Sequence, residues 1–421
     1  MEKIVIKGGR PLKGTVEISG AKNSALPIMA AALLTDSPCV IKGVPSLRDI
    51  DTMIKILRAL GVKVDRKKSV LTIAGPCTKT KAPYSLVSTM RASVCVLGPL
   101  LAKNGFAEVS FPGGCVIGPR PIDLHLKGLE LLGGEIKIKS GYIIAKAKKL
   151  KGAKIYLGGH FGSSVLATAN IMTAATLANG VTVIENAASE PEIVDLAKFL
   201  ISMGAEIEGH STHTIKIRGV KKLHGTTYTI LPDRVEAGTY MLAGAMTGGN
   251  LFLKNARPEH IFAVSDKLRE CGVEIKESTD GINVRTKNNK RSKSTAIATL
   301  PYPGFPTDMQ AQMMSFLSVA DGISVITEKI YPERFIHISE LSRMGAQIIL
   351  EGPSAIVKGV DCLHGADVMA SDLRASAALV LAGLVAKGTT RVHRVYHLDR
   401  GYDAIDKKLS LVGAEIWREK E

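Results

Sequence analysis

The sequence contains few aromatic residues and lacks any long apolar run. Phe, Trp and Tyr make up 5% of its 421 residues, so the two or three domains that this length allows must have largely aliphatic cores. No apolar run approaches the roughly 18 residues that indicate a membrane-spanning helix. The first residues, Met1-Glu2-Lys3-Ile4-Val5-Ile6-Lys7, alternate like a strand and do not resemble a signal peptide. We therefore expect a cytoplasmic protein with no membrane span.

The cysteines lack the spacing of a metal site or of a disulfide framework. No C-x-x-C pair and no H-E-x-x-H motif occurs. The pattern favours reduced thiols, as in the cytoplasm, and argues against a zinc site or a disulfide framework. We expect no bound metal and no cofactor. The six cysteines are Cys39, Cys77, Cys95, Cys115, Cys271 and Cys362.

Acidic residues are in deficit, which points to an anionic partner. The 39 Asp and Glu face 55 Lys and Arg, a net charge of +16. Such a charge suits a nucleic acid, a membrane surface or a phosphorylated small substrate. Nucleic-acid binders usually interleave aromatic residues with basic ones, but the basic runs 146–154 and 285–293 contain none. We expect both runs to be solvated surface and no nucleic acid to bind; salt-dependent oligonucleotide binding would support that alternative.

An internal repeat is the most informative feature of the chain. The pattern Leu-x-x-apolar-Gly-(Ala/Gly/Val)-x-(Ile/Val) occurs six times, with its glycines 68 to 73 residues apart. Each copy predicts a helix that ends at a glycine in the left-handed conformation and is followed at once by a strand. Six units of this length can form two globes of three. The repeat glycines are Gly61, Gly133, Gly204, Gly272, Gly345 and Gly413.

Each repeat also contains a second helix that is apolar around most of its circumference, which predicts burial. Polar residues cluster at the N-terminal ends of these helices, where free N–H groups attract anions. Ordinary capping explains Thr307-Asp308 and Ser371-Asp372. It does not explain Lys22, Arg91 and Arg374, because a cation opposes the helix dipole there and an anionic ligand would offset that cost. The predicted helix starts are near Asn23, Arg91, Ser163, Glu236, Asp308 and Arg374.

The loop 111–125 combines a single cysteine with glycines, prolines and a nearby cation. Cys115 lies between Gly113-Gly114 and Gly118, and Arg120 follows five residues later. A thiol beside a fixed cation can have a lowered pKa and can serve as a proton carrier or nucleophile. Two alternatives stay open: a surface loop with an inert cysteine, and a cysteine hydrolase that uses His125, although no local signature surrounds that pair.

Together with this loop, several motifs resemble the enolpyruvyl transferases, and in particular those that act on UDP-N-acetylglucosamine in peptidoglycan synthesis. The resemblance runs essentially from end to end. Its nearest rival within the fold is the shikimate-pathway branch, which does not use a cysteine in a Pro-Gly-Gly-Cys loop. The other matching stretches are Gly20–Pro27, Glu185–Val194, Leu231–Arg234, Phe305–Gln312, Ala370–Ser376 and His397–Tyr402.

The resemblance implies an α/β fold, a two-domain inside-out α/β barrel in which each domain has three pseudo-symmetric repeats with buried helices. Domain I would be residues 21–230 and would carry the Cys115 lid loop. Domain II would join residues 1–20 to residues 231–421. We further expect residues 1–20 to form a hairpin, and the protein to be a monomer.

The implied reaction moves the enolpyruvyl group of phosphoenolpyruvate to the 3-hydroxyl of UDP-N-acetylglucosamine and releases phosphate. Cys115 matches the family's acid and Asp308 its base, while Lys22 and Arg400 complete the catalytic set. Tyr402 and Asp399 are expected to position Arg400. The phosphoenolpyruvate contacts are Lys22, Asn23, Arg120, Arg374 and Arg400. The UDP-N-acetylglucosamine contacts are Asn23, Arg91, Arg120, Pro121, Ile122, Asp123, Leu124, His160, Ser163, Ser164, Asp308 and Ile330.

The stretch His160-Phe-Gly-Ser-Ser164 departs from the family pattern, which commonly has Lys and a Ser-Val-Gly run there. The change keeps hydrogen-bond donors but alters the expected contacts to the nucleotide. His160 is equally compatible with a surface turn.

Overall fold

The computed structural model describes residues 2–113, 122–159, 162–286 and 291–420. They form two compact units, of which unit I comprises described residues between 20 and 231, and unit II comprises 2–19 and 232–420. Each unit has its own core of aliphatic side chains. No helix in the described part of the chain is long and apolar enough to cross a membrane.

The described residues form α-helices and short 3-10 helices in both units. The α-helices are α1 Lys22–Ala31, α2 Arg48–Ala59, α3 Tyr84–Val87, α4 Leu97–Asn104, α5 Asp123–Leu131, α6 Val165–Ala175, α7 Pro191–Ser202, α8 Arg234–Met246, α9 Phe262–Glu270, α10 Gln310–Leu317, α11 Ile338–Arg343, α12 Leu373–Val385 and α13 Ile405–Leu411. The 3-10 helices are Ala32–Leu34, Arg91–Val96, Pro258–His260, Thr307–Met309 and Val395–Arg400.

The strands are short and most contain three to six residues. In unit I they are β3 Cys39–Lys42, β4 Lys63–Lys67, β5 Val70–Ala74, β6 Lys81–Ala82, β7 Phe106–Ser110, β8 Glu135–Lys139, β9 Tyr142–Lys146, β10 Lys154–Tyr156, β11 Gly158–Gly159, β12 Gly162–Ser163, β13 Val181–Glu185, β14 Glu206–Glu208, β15 Thr214–Arg218 and β16 Thr227–Thr229. In unit II they are β1 Glu2–Lys7, β2 Lys13–Glu17, β17 Asn250–Lys254, β18 Val273–Ser278, β19 Gly281–Thr286, β20 Ala296–Ala298, β21 Ile323–Thr327, β22 Gln347–Glu351, β23 Ser354–Lys358, β24 Asp367–Met369, β25 Thr389–His393 and β26 Glu415–Lys420.

Six four-stranded sheets among the described residues share one plan. At one edge lies the strand that follows a repeat glycine, and next to it lies an antiparallel partner. The third strand follows a buried helix, and a short parallel strand forms the other edge. The orders are β16-β3-β5-β4, β6-β7-β9-β8 and β10-β13-β15-β14 in unit I, and β2-β17-β19-β18, β20-β21-β23-β22 and β24-β25-β1-β26 in unit II. A separate pair, β11 and β12, completes the set.

The six repeat glycines confirm the predicted helix ends. Their φ angles all lie between 87° and 103°, in the left-handed region that favours glycine, and a strand begins within two residues of each. A side chain at these positions would be strained whatever the available space. The periodic pattern therefore identifies a real structural repeat.

The predicted hairpin in residues 1–20 is wrong. β1 pairs antiparallel with β25 on one side and with β26 on the other, so neither of its edges is open to β2. β2 instead pairs in parallel with β17 in a different sheet. β1 thus occupies, in the last repeat, the place that a hairpin strand fills in the other five.

The six buried helices are confirmed, with small shifts at their starts. In α12 every residue from Arg374 to Leu384 is buried. Two of the six begin as 3-10 helices, Arg91–Val96 before α4 and Thr307–Met309 before α10. Within each unit these helices pack against one another while the sheets and amphipathic helices cover them. Helices inside and sheets outside are the inverse of an ordinary α/β barrel.

Candidate active site

In unit II, Asp308 is held between two buried arginines. Its Oδ1 accepts a hydrogen bond from Arg334 Nη1 at 3.0 Å, and its Oδ2 accepts one from Arg374 Nη2 at 2.8 Å. Arg334 and Arg374 are 6% and 4% exposed, so their buried positive charges need this carboxylate to compensate them. The resemblance predicts Asp308 and Arg374 as site residues but not Arg334. Its position four residues after Ile330, a residue that the resemblance already assigned to the sugar nucleotide, is the signal that could have found it.

The capping interpretation is wrong for Thr307-Asp308 and confirmed at Asp372. Pro306 occupies the N-cap of the 3-10 helix, and no side chain caps it. The Thr307 hydroxyl accepts a hydrogen bond from Arg334, the same arginine that binds Asp308. By contrast, Asp372 accepts hydrogen bonds from the backbone N–H groups of Arg374 and Ala375, at 2.8 and 3.1 Å, and begins α12. Asp308 is thus directed at cations rather than at its own helix.

The Tyr402 phenol joins the N-terminal halves of all three buried helices of unit II. Its oxygen lies 2.8 Å from Thr239 Oγ1, 3.2 Å from Gln312 Nε2 and 3.4 Å from Arg374 Nη1. Tyr402 was predicted to position Arg400, and its phenol lies against Arg374. The three helix starts therefore converge on a polar cluster that includes Asp308 and Arg374.

Electrostatics keep Arg374 charged in this cluster. Burial by itself disfavours the guanidinium charge, but the Asp308 carboxylate outweighs it and raises the pKa of Arg374 above its ordinary value. A buried guanidinium held in one orientation can grip a carboxylate or phosphate with two hydrogen bonds.

Arg400 and Asp399 lie at the end of the 3-10 helix Val395–Arg400. Burial first, and then the charge of Arg400, lowers the pKa of His397. Asp399 accepts two hydrogen bonds from Arg418, at 2.6 and 3.2 Å. Arg418 is thus a partner of Asp399 that the family motifs do not predict.

In unit I, Lys22 is the first residue of α1 and is paired with Asp49. The Lys22 Nζ lies 3.4 Å from Asp49 Oδ2, and their side chains are 11% and 6% exposed. This carboxylate offsets the unfavourable placement of a cation at a helix N-terminus. Asn23, the next residue, is exposed.

The Asp195 carboxylate anchors the first turn of α1 through Ser24. Ser24 Oγ donates to Asp195 Oδ2, and the other carboxylate oxygen accepts from Tyr228 Oη at 2.6 Å. Leu231 N also donates to Oδ2, at 3.2 Å. The turn that carries Lys22 is therefore anchored by a buried carboxylate.

Arg91 lies near the buried His125. Asn170 Nδ2 donates to His125 Nδ1 at 3.1 Å and to Val94 O at 3.0 Å, so the neutral ring carries its proton on Nε2. Burial, with the charge of Arg91 as a second cause, lowers the pKa of His125 from 6.5 to about 3. Because His125 is neutral, it does not repel the neighbouring Arg91 cation.

The same histidine predicts a loss of stability in acid. The folded state holds His125 neutral down to about pH 3, whereas the unfolded chain protonates it near pH 6.5. The unfolded state therefore binds the extra proton, and the free energy of unfolding falls as the pH is lowered from about 6.5 to about 3. We expect His125→Gln to show a smaller decrease in melting temperature between pH 7 and pH 4.5 than the wild type. The surface variant His224→Gln serves as control, and an equal decrease in all three proteins would contradict the assignment.

The remaining predicted sugar-nucleotide residues of unit I lie at two helix starts. Ile122 precedes α5, Asp123 and Leu124 are in its first turn, and the Leu124 side chain packs toward Gly159 in β11. Ser163 is in β12, which pairs with β11, and the Ser164 hydroxyl caps α6 by accepting from Ala167 N at 3.3 Å. Leu124 and Ser163 are thereby brought to the same β-ribbon.

In unit II, the backbone N–H of Ile330 donates to Glu328 Oε1 at 2.9 Å. Cys115, Arg120, Pro121 and His160 lie outside the described residues, and their roles stay predictions. Among the described residues, no three His, Cys, Asp or Glu side chains are grouped as metal ligands would be.

The fold is that of the enolpyruvyl transferases. The structure of the enolpyruvyl transferase NikO from Streptomyces tendae matches with a TM-score of 0.89 and 24% identity, covering 100% of this chain and 99% of that one. The EPSP synthase of Acinetobacter baumannii matches with a TM-score of 0.77 and 18% identity, covering 100% of both chains. The two-domain inside-out α/β fold is thus confirmed.

The sequence comparisons define the family. The model of the EPSP synthase (3-phosphoshikimate 1-carboxyvinyltransferase) family matches residues 6–409, and the chain belongs to this family of enolpyruvyl transferases. It is 56% identical over 418 residues to the UDP-N-acetylglucosamine 1-carboxyvinyltransferase of Methylacidiphilum infernorum, covering 99% of each chain. It is 55% identical over 416 residues to UDP-N-acetylglucosamine 1-carboxyvinyltransferase 1 of Caldanaerobacter subterraneus subsp. tengcongensis, again covering 99% of each.

Proposed function

We propose that this chain transfers the enolpyruvyl group of phosphoenolpyruvate to the 3-hydroxyl of UDP-N-acetylglucosamine by addition and elimination, with release of phosphate. The observation that carries this proposal is a carboxylate, Asp308, held by the buried Arg334 and Arg374 at the start of a central helix. The full-length similarity to relatives of that name supports the choice of sugar nucleotide. The reaction is the first committed step of peptidoglycan synthesis, so the enzyme would act in the cytoplasm and serve cell-wall growth, cell shape and division.

In the addition step, the oxygen of the 3-hydroxyl attacks C2 of phosphoenolpyruvate, and Asp308 accepts the proton of that hydroxyl. Cys115 donates a proton to C3, so the double bond becomes a C–H bond and a C–O bond. The two guanidinium partners of Asp308 stabilise its ionised form, so the side chain enters the reaction as a carboxylate and can act as the base.

In the elimination step, phosphate leaves C2 with the electron pair of the C–O bond, and the Cys115 thiolate left by the addition takes a proton from C3, which restores the double bond on the new ether. Cations must stabilise the leaving phosphate, and they must also hold the carboxylate of phosphoenolpyruvate in place. We assign the contacts to the phosphate to Lys22, Arg120 and Arg400, and the contacts to the carboxylate to Arg374 and Arg400. Asn23 would hold the intermediate.

The contacts to the sugar nucleotide are proposed from the residues that match the family. They would involve the α5 start and the ribbon of β11 and β12, against which Leu124 packs and in which Ser163 lies, with Asp308 and Ile330 in unit II. The remaining contacts in this proposal are Asn23, Arg91, Arg120, Pro121, Ile122, Asp123, His160 and Ser164.

We also propose that units I and II are the two domains, residues 21–230 and residues 1–20 with 231–421, of a monomer. The Cys115 loop would act as a lid that closes after the sugar nucleotide binds and excludes water. Its thiol would form the covalent adduct with phosphoenolpyruvate and would be the group that the epoxide fosfomycin alkylates.

A phosphate-release assay tests the proposal directly. We expect purified protein to release phosphate only when phosphoenolpyruvate and UDP-N-acetylglucosamine are both present, because the 3-hydroxyl is the nucleophile. Shikimate 3-phosphate replaces the sugar nucleotide as the control. Release with either substrate alone, or with shikimate 3-phosphate in place of the sugar nucleotide, would show that the proposed acceptor is wrong.

A further inference from the structure

Glu328 is a fully buried carboxylate that follows β21 in unit II. Its exposed fraction is 0%, and its two oxygens accept hydrogen bonds from four groups. An ionised carboxylate in such a place is costly unless donors satisfy it. Four donors directed at one side chain indicate a site that is built to hold this group in one orientation.

One oxygen of Glu328 fixes the turn that follows it. Oε1 accepts from the backbone N–H groups of Ile330 and Tyr331, at 2.9 and 3.0 Å, and from Thr299 Oγ1 at 2.6 Å. The same Thr299 oxygen accepts from Lys329 N at 2.9 Å. All three backbone N–H groups of the turn 329–331 are therefore tied, directly or through Thr299, to a single carboxylate oxygen.

The other oxygen leads to Asp308. Oε2 accepts from Thr307 Oγ1 at 2.9 Å, and this hydroxyl accepts from Arg334 Nη1 at 3.0 Å. The same Nη1 donates to Asp308 Oδ1 at 3.0 Å. Because Thr307 directs its proton to Glu328, its lone pairs face Arg334 and hold the guanidinium that binds Asp308.

We propose that Glu328 is a positioning residue that couples the turn 329–331 to the base Asp308, with one carboxylate oxygen directed to each. This inference rests on the proposed function, in which Ile330 contacts the sugar nucleotide and Asp308 accepts the proton of its 3-hydroxyl. Displacement of the turn moves the Glu328 carboxylate, and through Thr307 and Arg334 it moves the base. Binding of the correct sugar nucleotide thereby sets the geometry of the proton transfer.

Two threonines allow the two oxygens of Glu328 to be tested separately. Thr307→Val removes the path to Asp308 and leaves the turn intact. We expect kcat to fall about tenfold and the KM for UDP-N-acetylglucosamine to change less than about twofold, since about one hydrogen bond is lost in the transition state. Thr299→Val loosens the turn instead. We expect this KM to rise about fivefold and kcat to fall about threefold, because the displaced turn moves the Glu328 carboxylate and with it the base. Thr307→Ser and Thr299→Ser keep the hydroxyl and should restore each parameter.

Glu328→Gln tests the carboxylate itself, and Glu340→Gln is its matched control. Glu340 also accepts a backbone N–H, from Met369 at 2.9 Å, and pairs with Arg343, and among the described residues neither contact leads to the turn or to Asp308. We expect the Glu328 variant to show both kinetic effects and the Glu340 variant to show neither. If Glu328→Gln does not fold, the two threonine variants still test whether the turn is coupled to Asp308.

The coupling is wrong if Thr299→Val raises this KM and leaves kcat unchanged, or if neither threonine variant differs from Glu340→Gln. A loss of activity that follows melting temperature alone and is not rescued by Ser would identify a merely structural carboxylate. Absence of phosphate release by the wild type is a different result, since it overturns the proposed function before any variant is compared.

Discussion

Cys115→Ser is expected to lower the rate of phosphate release by a factor of about 10² to 10⁴, the usual contribution of a positioned acid. A hydroxyl is a far weaker proton donor than a thiol, so C3 of the enol would lack its acid. Single-turnover measurements with saturating phosphoenolpyruvate and UDP-N-acetylglucosamine check this. Wild-type turnover in the Ser variant would contradict the assignment of the acid.

Cys115→Asp distinguishes the two roles of the thiol. A carboxyl group can also donate a proton, so retained activity would mean that the covalent adduct is dispensable. An inactive Asp variant in a folded protein would show that the adduct is required.

Alkylation by fosfomycin, read by peptide mass mapping, supplies the control for this cysteine. Burial raises the pKa of Cys95 and of Cys271 to about 12, so both thiols are protonated at neutral pH and unreactive. Labelling should therefore fall on Cys115. Labelling at Cys95 or Cys271 in its place would count against the assignment of Cys115 as the proton donor.

Asp308→Asn is expected to reduce kcat by a factor of about 10² to 10⁴, because the amide cannot take the 3-hydroxyl proton. The substitution keeps the shape and one acceptor oxygen, but it removes the charge that Arg334 and Arg374 share. Two buried guanidinium groups then face each other with less compensation, and the melting temperature should fall as well.

The control for this variant is Asp361→Asn, which breaks the ion pair between the exposed Asp361 and Arg291 in the same unit. It should leave kcat unchanged. The assignment of the base fails if Asp308→Asn keeps more than about a tenth of the wild-type kcat while the assay still requires both substrates.

Much of the fold followed from local pattern. A helix that ends at Gly61 or Gly133 depends on residues within one or two turns, so the six repeat glycines and the buried helices could be predicted without knowledge of distant contacts. The observed starts of α6 and α8 differ by two residues from the predicted ones, because capping by Ser164 and Asp233 decides the boundary. The family motifs identified Asp308, Arg374 and Lys22 by similarity.

The partners of those residues could not be predicted in this way. Asp308 meets Arg334 from 26 residues away and Arg374 from 66, and Lys22 meets Asp49 from 27. No periodicity encodes such pairs.

The sequence by itself determined the sixfold repeat, the buried helices and the chemical types available at their starts, because these depend on short-range backbone preference and apolar spacing. Only the tertiary structure decided that β1 closes the last repeat instead of forming a hairpin with β2, and that Asp308 binds two arginines instead of capping its helix. The physical reason is that strand edges and buried charges are satisfied by whichever partner folding brings near, at any separation along the chain.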